Sequence, residues 1–173
     1  MIVMKFGGTS VESREAIQRV AGIVAERIDR RPVVVVSAMG KTTNKLLAIA
    51  AAAVGGDRAG ALDQLDRLRE MHLRESVGVE REIGEHFDEL GELIRGIAVM
   101  GEMTPRATDA VSSYGERISS VIIAELFRRC GIEAAHLDSR RMIVTDARHT
   151  HAAPNFAETD ARLAAIQIGR AHV

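Results

Sequence analysis

A chain of 173 residues with 46% hydrophobic content can enclose a real core, and a single domain is the default at that length. Its 23 Lys+Arg against 24 Asp+Glu leave a net charge of -1, so no global basic field points to nucleic acid or an anionic membrane; 3% aromatic content offers no stacking platform for bases. The single Cys130 rules out an internal disulfide, and neither a cleavable signal nor a spanning apolar run is legible, so a reducing cytoplasm is the expected location.

Ile2 to Phe6 is apolar apart from Lys5 and predicts a buried strand. It runs directly into Gly7, Gly8, Thr9 and Ser10. A lone ammonium in such a run is costly unless an anion faces it, and two glycines can take the positive-φ conformations that turn successive N–H groups toward one point. A phosphate cradle fits these residues. So does a strand lysine that snorkels into solvent before an ordinary Gly-Gly turn, and the residues alone do not separate the two.

Ser13 then caps a helix with the apolar stripe Ile17, Val20, Ala21, Val24 and Ile28. Pro32 introduces Val33-Val34-Val35-Val36, a β-branched run without polar alternation that suits a central parallel strand covered on both faces. Strand, helix and strand make a right-handed βαβ unit, which brings the polar loop from Ser37 to Asn44 to the same sheet edge as the glycine loop.

From Leu46 to Val54 the pattern is an Ala-rich helix stopped by Gly55-Gly56. A helical hairpin over about 57–98 follows, with stripes Leu62, Leu65, Leu68 and Ile83, Phe87, Leu90, Ile94, Ile97 separated near Gly78; its many charges read as solvated faces. Thr104 and Pro105 are an N-cap and first helical position for a short helix. Ser112 to Arg117 predicts an interruption, with Glu116 in the first turn of a new helix carrying Ile118, Val121, Ile122, Leu126 and Phe127 up to Gly131. Ile132 to Leu137 predicts a third strand, with Met142 to Val144 as a short extension.

Four segments can be compared with a family. Lys5-Phe6-Gly7-Gly8-Thr9-Ser10-Val11, Val34-Val35-Val36-Ser37-Ala38-Met39 with Thr43-Asn44, Gly101-Glu102 with Thr104-Pro105, and Ser113-Tyr114-Gly115-Glu116-Arg117 occur in this order and spacing, and together the chain resembles the amino-terminal part of the aspartate kinases, of the amino-acid-kinase superfamily. The resemblance extends from Met1 to about Asp146. It implies an α/β three-layer sandwich with a mainly parallel sheet, here incomplete. It also implies ATP-dependent phosphorylation of the side-chain carboxylate of L-aspartate, on the path to lysine, threonine and methionine, by a homo-oligomer at full length.

Under that resemblance Lys5 holds phosphate oxygens as the catalytic cation, and Phe6, Gly7, Gly8, Thr9 and Ser10 complete the ATP-binding loop. Ser37, Ala38 and Thr43 bind the aspartate and Glu116 meets its ammonium group; Mg2+ arrives with the nucleotide. Without the family, Glu116 reads as a first-turn glutamate favouring the helix dipole. Rivals are another member of the superfamily, acting on glutamate, acetylglutamate, carbamate or a nucleotide, and a non-catalytic interaction module; the YGER and SAM...TN loops argue against the first.

Several residues are decoys. Gly40-Lys41-Thr42 is not a P-loop, because Val35 stands where the motif needs its first glycine, and Lys41 reads as an exposed loop lysine. His149 and His151 read as polar loop residues, His72 and His86 as helix-surface residues, and Cys130 as a small apolar filler. The resembled family continues with a second glycine-rich loop, adenine-binding strands and regulatory ACT domains, none legible after Asp146, so a truncated kinase domain over 1–166 with little turnover and an exposed sheet edge is expected. Residues 167–173 read as translated sequencing adapter, a non-native tail.

Overall fold

The computed structural model describes residues 1–165. Its elements run β1 (Ile2–Phe6), α1 (Arg14–Ala25), β2 (Pro32–Val36), α2 (Thr42–Val54), α3 (Arg58–Glu75), α4 (Glu80–Met100), α5 (Pro105–Arg129) and α6 (Phe156–Ala165), with short 3-10 turns at Gly8–Val11, Ile28–Arg30 and Ser139–Arg141. β1 and β2 pair in parallel, with Lys5 beside Val35 and Phe6 beside Val36. The α/β class with a parallel sheet holds.

Alternation along the paired strands sorts the sheet into two unlike faces. Met4, Phe6, Val34 and Val36 pack on the helical core, while Val3 and Val35 on the other face are 68% and 46% exposed. The expectation of a strand covered on both faces therefore fails for β2 among the described residues. Lys5 lies on the open face and is exposed, so its ammonium is solvated rather than stranded among aliphatic neighbours.

The helices form where capping and periodicity place them. Ser13 caps α1 by accepting from the Ala16 N–H at 3.3 Å, and Ile17, Val20, Ala21 and Val24 are buried. Ile28 falls beyond the helix end and is 47% exposed. α2 starts at Thr42, four residues ahead of the expected Leu46, which puts Thr43 and Asn44 on its first turn. α3 and α4 form the hairpin, with Leu65, Leu68, Ile83, Phe87, Leu90, Ile94 and Ile97 all buried.

The expected break at Ser112 to Arg117 is absent: α5 is one helix of 25 residues, capped by Thr104 accepting from the Ala107 N–H at 3.2 Å. The Ser113 hydroxyl donates back to the Ala110 carbonyl at 2.8 Å, and Gly115 is held by packing, so tertiary contact overrides the local helix-breaking signals. Glu116 is consequently in mid-helix, and the helix-dipole account of it lapses.

The third strand is absent among the described residues, where the sheet has two strands. Ile132 is buried and Ala134 packs against the core as its hydrophobicity dictates, but the Ala134 carbonyl accepts from the Arg128 guanidinium at 3.0 Å instead of joining a ladder. Hydrophobic pattern specified burial there without specifying a sheet partner.

Residues fall into two compact units, Met1–His136 and the residues from Leu137 on. In the second, an isolated antiparallel bridge joins Thr145 to Pro154, and the Thr159 hydroxyl of α6 accepts from the Val144 N–H at 3.0 Å. Met142 to Val144 forms no strand. His149 and His151 are exposed loop residues, and the tail 167–173 lies outside the described residues. No helix among the described residues is long and apolar enough to cross a membrane.

Candidate active site

The carboxyl ends of β1 and β2 deliver two loops to the side of α5, and the cleft they enclose is the point at which the three most distinctive motifs meet. The Gly40 N–H donates to the Gly8 carbonyl at 3.0 Å, tying the two strand-end loops to each other. Ser37 extends the sheet ladder by donating its N–H to the Phe6 carbonyl at 3.1 Å, and its own carbonyl accepts from the Ser119 hydroxyl at 3.0 Å. The Ala38 N–H donates to Glu116 Oε1 at 3.3 Å. Each bond joins residues far apart in sequence, so the cleft exists only in the folded chain.

Two glycines permit this approach. A Cβ on Gly8 would stand 2.5 Å from the Ala38 carbonyl oxygen and 2.8 Å from that of Gly40, and one on Gly115 would stand 2.7 Å from the Ala38 Cβ and 3.2 Å from Thr43 Oγ1. Neither Gly7, with φ -77°, nor Gly8 takes the positive-φ conformation expected of the turn. Glycine is required at position 8 by contact between loops, not by backbone handedness.

The resulting open cleft of ≈ 210 Å³ is lined by Gly8, Ser37, Ala38, Gly40, Lys41, Thr43, Asn44 and Glu116. The cleft is open to solvent and roomy enough to admit a small polar ligand. One wall offers backbone N–H groups and hydroxyls, which donate; across from them stands a single carboxylate.

Of the residues singled out in the sequence, Gly8, Ser37, Ala38, Thr43 and Glu116 are thus brought together. Lys5 and Gly7 do not line the cleft: Lys5 is exposed near the carboxyl end of β1, with its Nζ 3.9 Å from where a Cβ on Gly7 would stand. Phe6 turns into the core, and Thr9 and Ser10 are exposed. Gly40, Lys41 and Asn44 also line the cleft and were not anticipated; Lys41 is exposed, as its loop position suggested. Ser119 is fully buried against Ser37 and was missed, since a lone serine on a helix gives no sequence signal.

The arginine of the YGER motif faces away from the cleft toward α4. Arg117 stacks over Tyr114 at 4.1 Å, pairs with Glu89 at 3.1 Å, and donates to His86 Nδ1 at 3.3 Å. Burial raises the Glu89 carboxyl, and the hydrogen bonds from Arg117 and Tyr114 outweigh it, so its pKa ends below the ordinary carboxylate value. His86 is therefore half-buried between helices and not the surface residue expected. His72 is fully buried, and Cys130 is exposed at the end of α5 where an apolar filler was expected.

Comparison with known proteins agrees with this arrangement. The sequence model described as the amino acid kinase family matches residues 1–164. Aspartokinase 2, chloroplastic, of Arabidopsis thaliana is 41% identical over 142 residues, covering 79% of this chain and 26% of the relative. The lysine-sensitive aspartokinase 3 of Escherichia coli is 33% identical over 170 residues, covering 97% of this chain and 37% of the relative. The crystal structure of E. coli aspartokinase III in complex with aspartate and ADP superposes with a TM-score of 0.83 at 31% identity, over 97% of this chain and 37% of that one. The chain thus spans between about a quarter and just over a third of the length of these relatives. With the family model matched over almost every described residue, the chain belongs to the amino acid kinase family.

Proposed function

We propose that this chain carries the phosphate and aspartate half of an aspartate kinase site, in which ATP phosphorylates the side-chain carboxylate of L-aspartate as the first step toward lysine, threonine and methionine. The observation that carries the reading is the cleft's polarity: the Glu116 carboxylate accepts from the Ala38 N–H at 3.3 Å in an open cleft that the hydroxyl-bearing Ser37 and Thr43 also line. A zwitterionic ligand carrying two carboxylates matches this wall. Its ammonium would pair with Glu116, and a carboxylate would take over the Ala38 N–H together with the hydroxyls of Ser37 and Thr43. The existing bond is long and one-armed, so exchanging it for a ligand costs little.

The chemistry asks little more of these residues. A side-chain carboxylate of pKa about 4 is already ionised at neutral pH, so the attacking oxygen needs no general base. Positioning and charge neutralisation are the remaining tasks. Lys5, solvated on the open sheet face with its Nζ by Gly7, is free to meet phosphate oxygens at the carboxyl edge, with Gly7, Gly8, Thr9 and Ser10 completing the nucleotide loop in this reading. Among the described residues no group of three His, Cys, Asp or Glu side chains could hold a metal ion. Magnesium in this reading belongs with the nucleotide phosphates and supplies neutralisation of their charge.

Calorimetric titration tests the reading. L-Aspartate is expected to bind the wild-type chain in preference to L-glutamate, and Glu116→Gln to weaken it at least about ten-fold while leaving thermal stability unchanged, since a charged hydrogen bond of about 1.5–3 kcal/mol is removed from an exposed side chain. Equal affinity for the two amino acids would overturn the assignment of substrate.

A further inference from the structure

His72 of α3 is fully buried, and its hydrogen bonds can be assigned by counting protons. Nδ1 lies 2.9 Å from the Leu68 carbonyl, which can only accept, so Nδ1 carries the ring proton. Nε2 lies 3.4 Å from Thr42 Oγ1, whose single hydroxyl proton is directed at the Met39 carbonyl 2.6 Å away. The neutral ring therefore presents its bare nitrogen to the back of a hydroxyl that is already committed elsewhere.

Thr42 is 1% exposed and opens α2, and its N–H also donates to the Met39 carbonyl at 3.1 Å. Residues 39–42 close as a turn, and that turn fixes Ala38, Gly40 and Thr43, which line the cleft. We propose that His72 is a positioning residue for the cleft: the neutral ring backs Thr42 and so holds residues 38–43 in their binding arrangement, and a proton on Nε2 loosens that arrangement. The functional half of the proposal rests on reading the cleft as an aspartate site; the structural half does not.

The direction follows from what surrounds the ring. From α4 the Phe87 ring packs against it, centroids 5.5 Å apart. From α2 the Lys45 ammonium opposes a second cation. On its own helix Glu75 favours one, but the Glu75 carboxylate already accepts the Arg14 N–H at 2.7 Å. Burial is the largest influence and, with Lys45, pushes the imidazole below its ordinary value despite the Leu68 hydrogen bond and Glu75. One long bond from Nε2–H to Thr42 does not repay desolvation of a full charge. The fold that buries the ring therefore favours its neutral form, and protonation opposes that burial, in which Thr42 is the neighbour packed against Nε2; this stabilisation is present above the unfolded histidine value of about 6.5 and is lost as pH falls from there through the lowered folded value.

The test is a pH titration of 15N-labelled protein by NMR, following the His72 ring nitrogens and the Thr42 and Thr43 amides, with L-aspartate affinity measured alongside. At pH 7.5 the ring should carry its proton on Nδ1, and both amides should titrate with the ring's own midpoint. Thr42→Val, which keeps the shape and removes the hydroxyl, should uncouple them. The L-aspartate dissociation constant should rise at least about two-fold as pH falls from 7.5 to 5.5 in wild type, and this rise should vanish in His72→Asn, which keeps a donor to Leu68 and does not titrate. A ring protonated on Nε2, or loop amides indifferent to its titration, would overturn the proposal, as would an undiminished pH dependence in His72→Asn. Absence of aspartate binding at pH 7.5 would instead sink the reading of the cleft and leave the amide titration to decide the role of His72.

Discussion

Two polar regions of this molecule are built on opposite plans. Over the α3–α4 hairpin, several charges pair with neighbours on their own helix, Arg67 with Asp63, Arg81 with Glu85 and Arg95 with Glu92, while Arg69 reaches Asp88 on the facing helix and Glu89 meets Arg117 of α5. Around the cleft, partners come from distant parts of the chain: Ala38 with Glu116, Ser37 with Ser119, Gly8 with Gly40. Pairs of the first kind keep a helix face solvated and contribute only a few tenths of a kcal/mol each. Bonds of the second kind fix backbone groups from three elements against one another. The hairpin also has a pocket, but at ≈ 70 Å³ it is a third of the cleft's volume. Density of charge does not mark the site here; convergence of backbones with no room left between them does.

Substitutions should separate the two plans, beginning with the largest effect. Gly8→Ala drives a Cβ against two carbonyl oxygens at 2.5 and 2.8 Å, both of them backbone, and is expected to cost about 1–3 kcal/mol in urea unfolding and to abolish ligand binding. An unchanged unfolding curve would mean that the two loops are not in contact. Gly115→Ala meets the Ala38 Cβ at 2.7 Å, and the helix propensity of alanine returns roughly 1 kcal/mol, so a net loss of about 1 kcal/mol is expected, with weakened binding.

Ser119→Ala removes the donor to the Ser37 carbonyl and should lower stability by about 1 kcal/mol, visible as a shift in the urea midpoint without a change in slope. Arg81→Ala, in the hairpin, should change stability by no more than about 0.5 kcal/mol and leave binding untouched. A hairpin charge substitution as damaging as Gly8→Ala would erase the distinction between the regions.

The sequence disclosed helices where their signals were local. Ser13, Thr104 with Pro105, and Gly55 marked ends that the structure keeps, and the spacing of Ile83, Phe87, Leu90, Ile94 and Ile97 gave the buried face of α4. It misled where tertiary contact decides. Ser112 to Gly115 reads as a helix breaker until Ala38 is packed against Gly115, and the valines of β2 read as doubly covered although one face is open. Lys5 was expected as a buried cation in want of an anion, and the structure leaves it exposed on the open face of β1.

The cleft itself was half legible. Gly8, Ser37, Ala38, Thr43 and Glu116 stand out as parts of motifs, whereas Ser119, Thr42 and His72 act through single bonds to carbonyls that no residue pattern encodes.

The most direct test of the account is an amide chemical-shift map of the 15N-labelled chain on addition of L-aspartate. The account predicts that the largest changes fall on Gly8, Ala38, Gly40 and Thr43, with residues 58–100 nearly silent. Changes centred on the hairpin, or none at saturating aspartate, would contradict it.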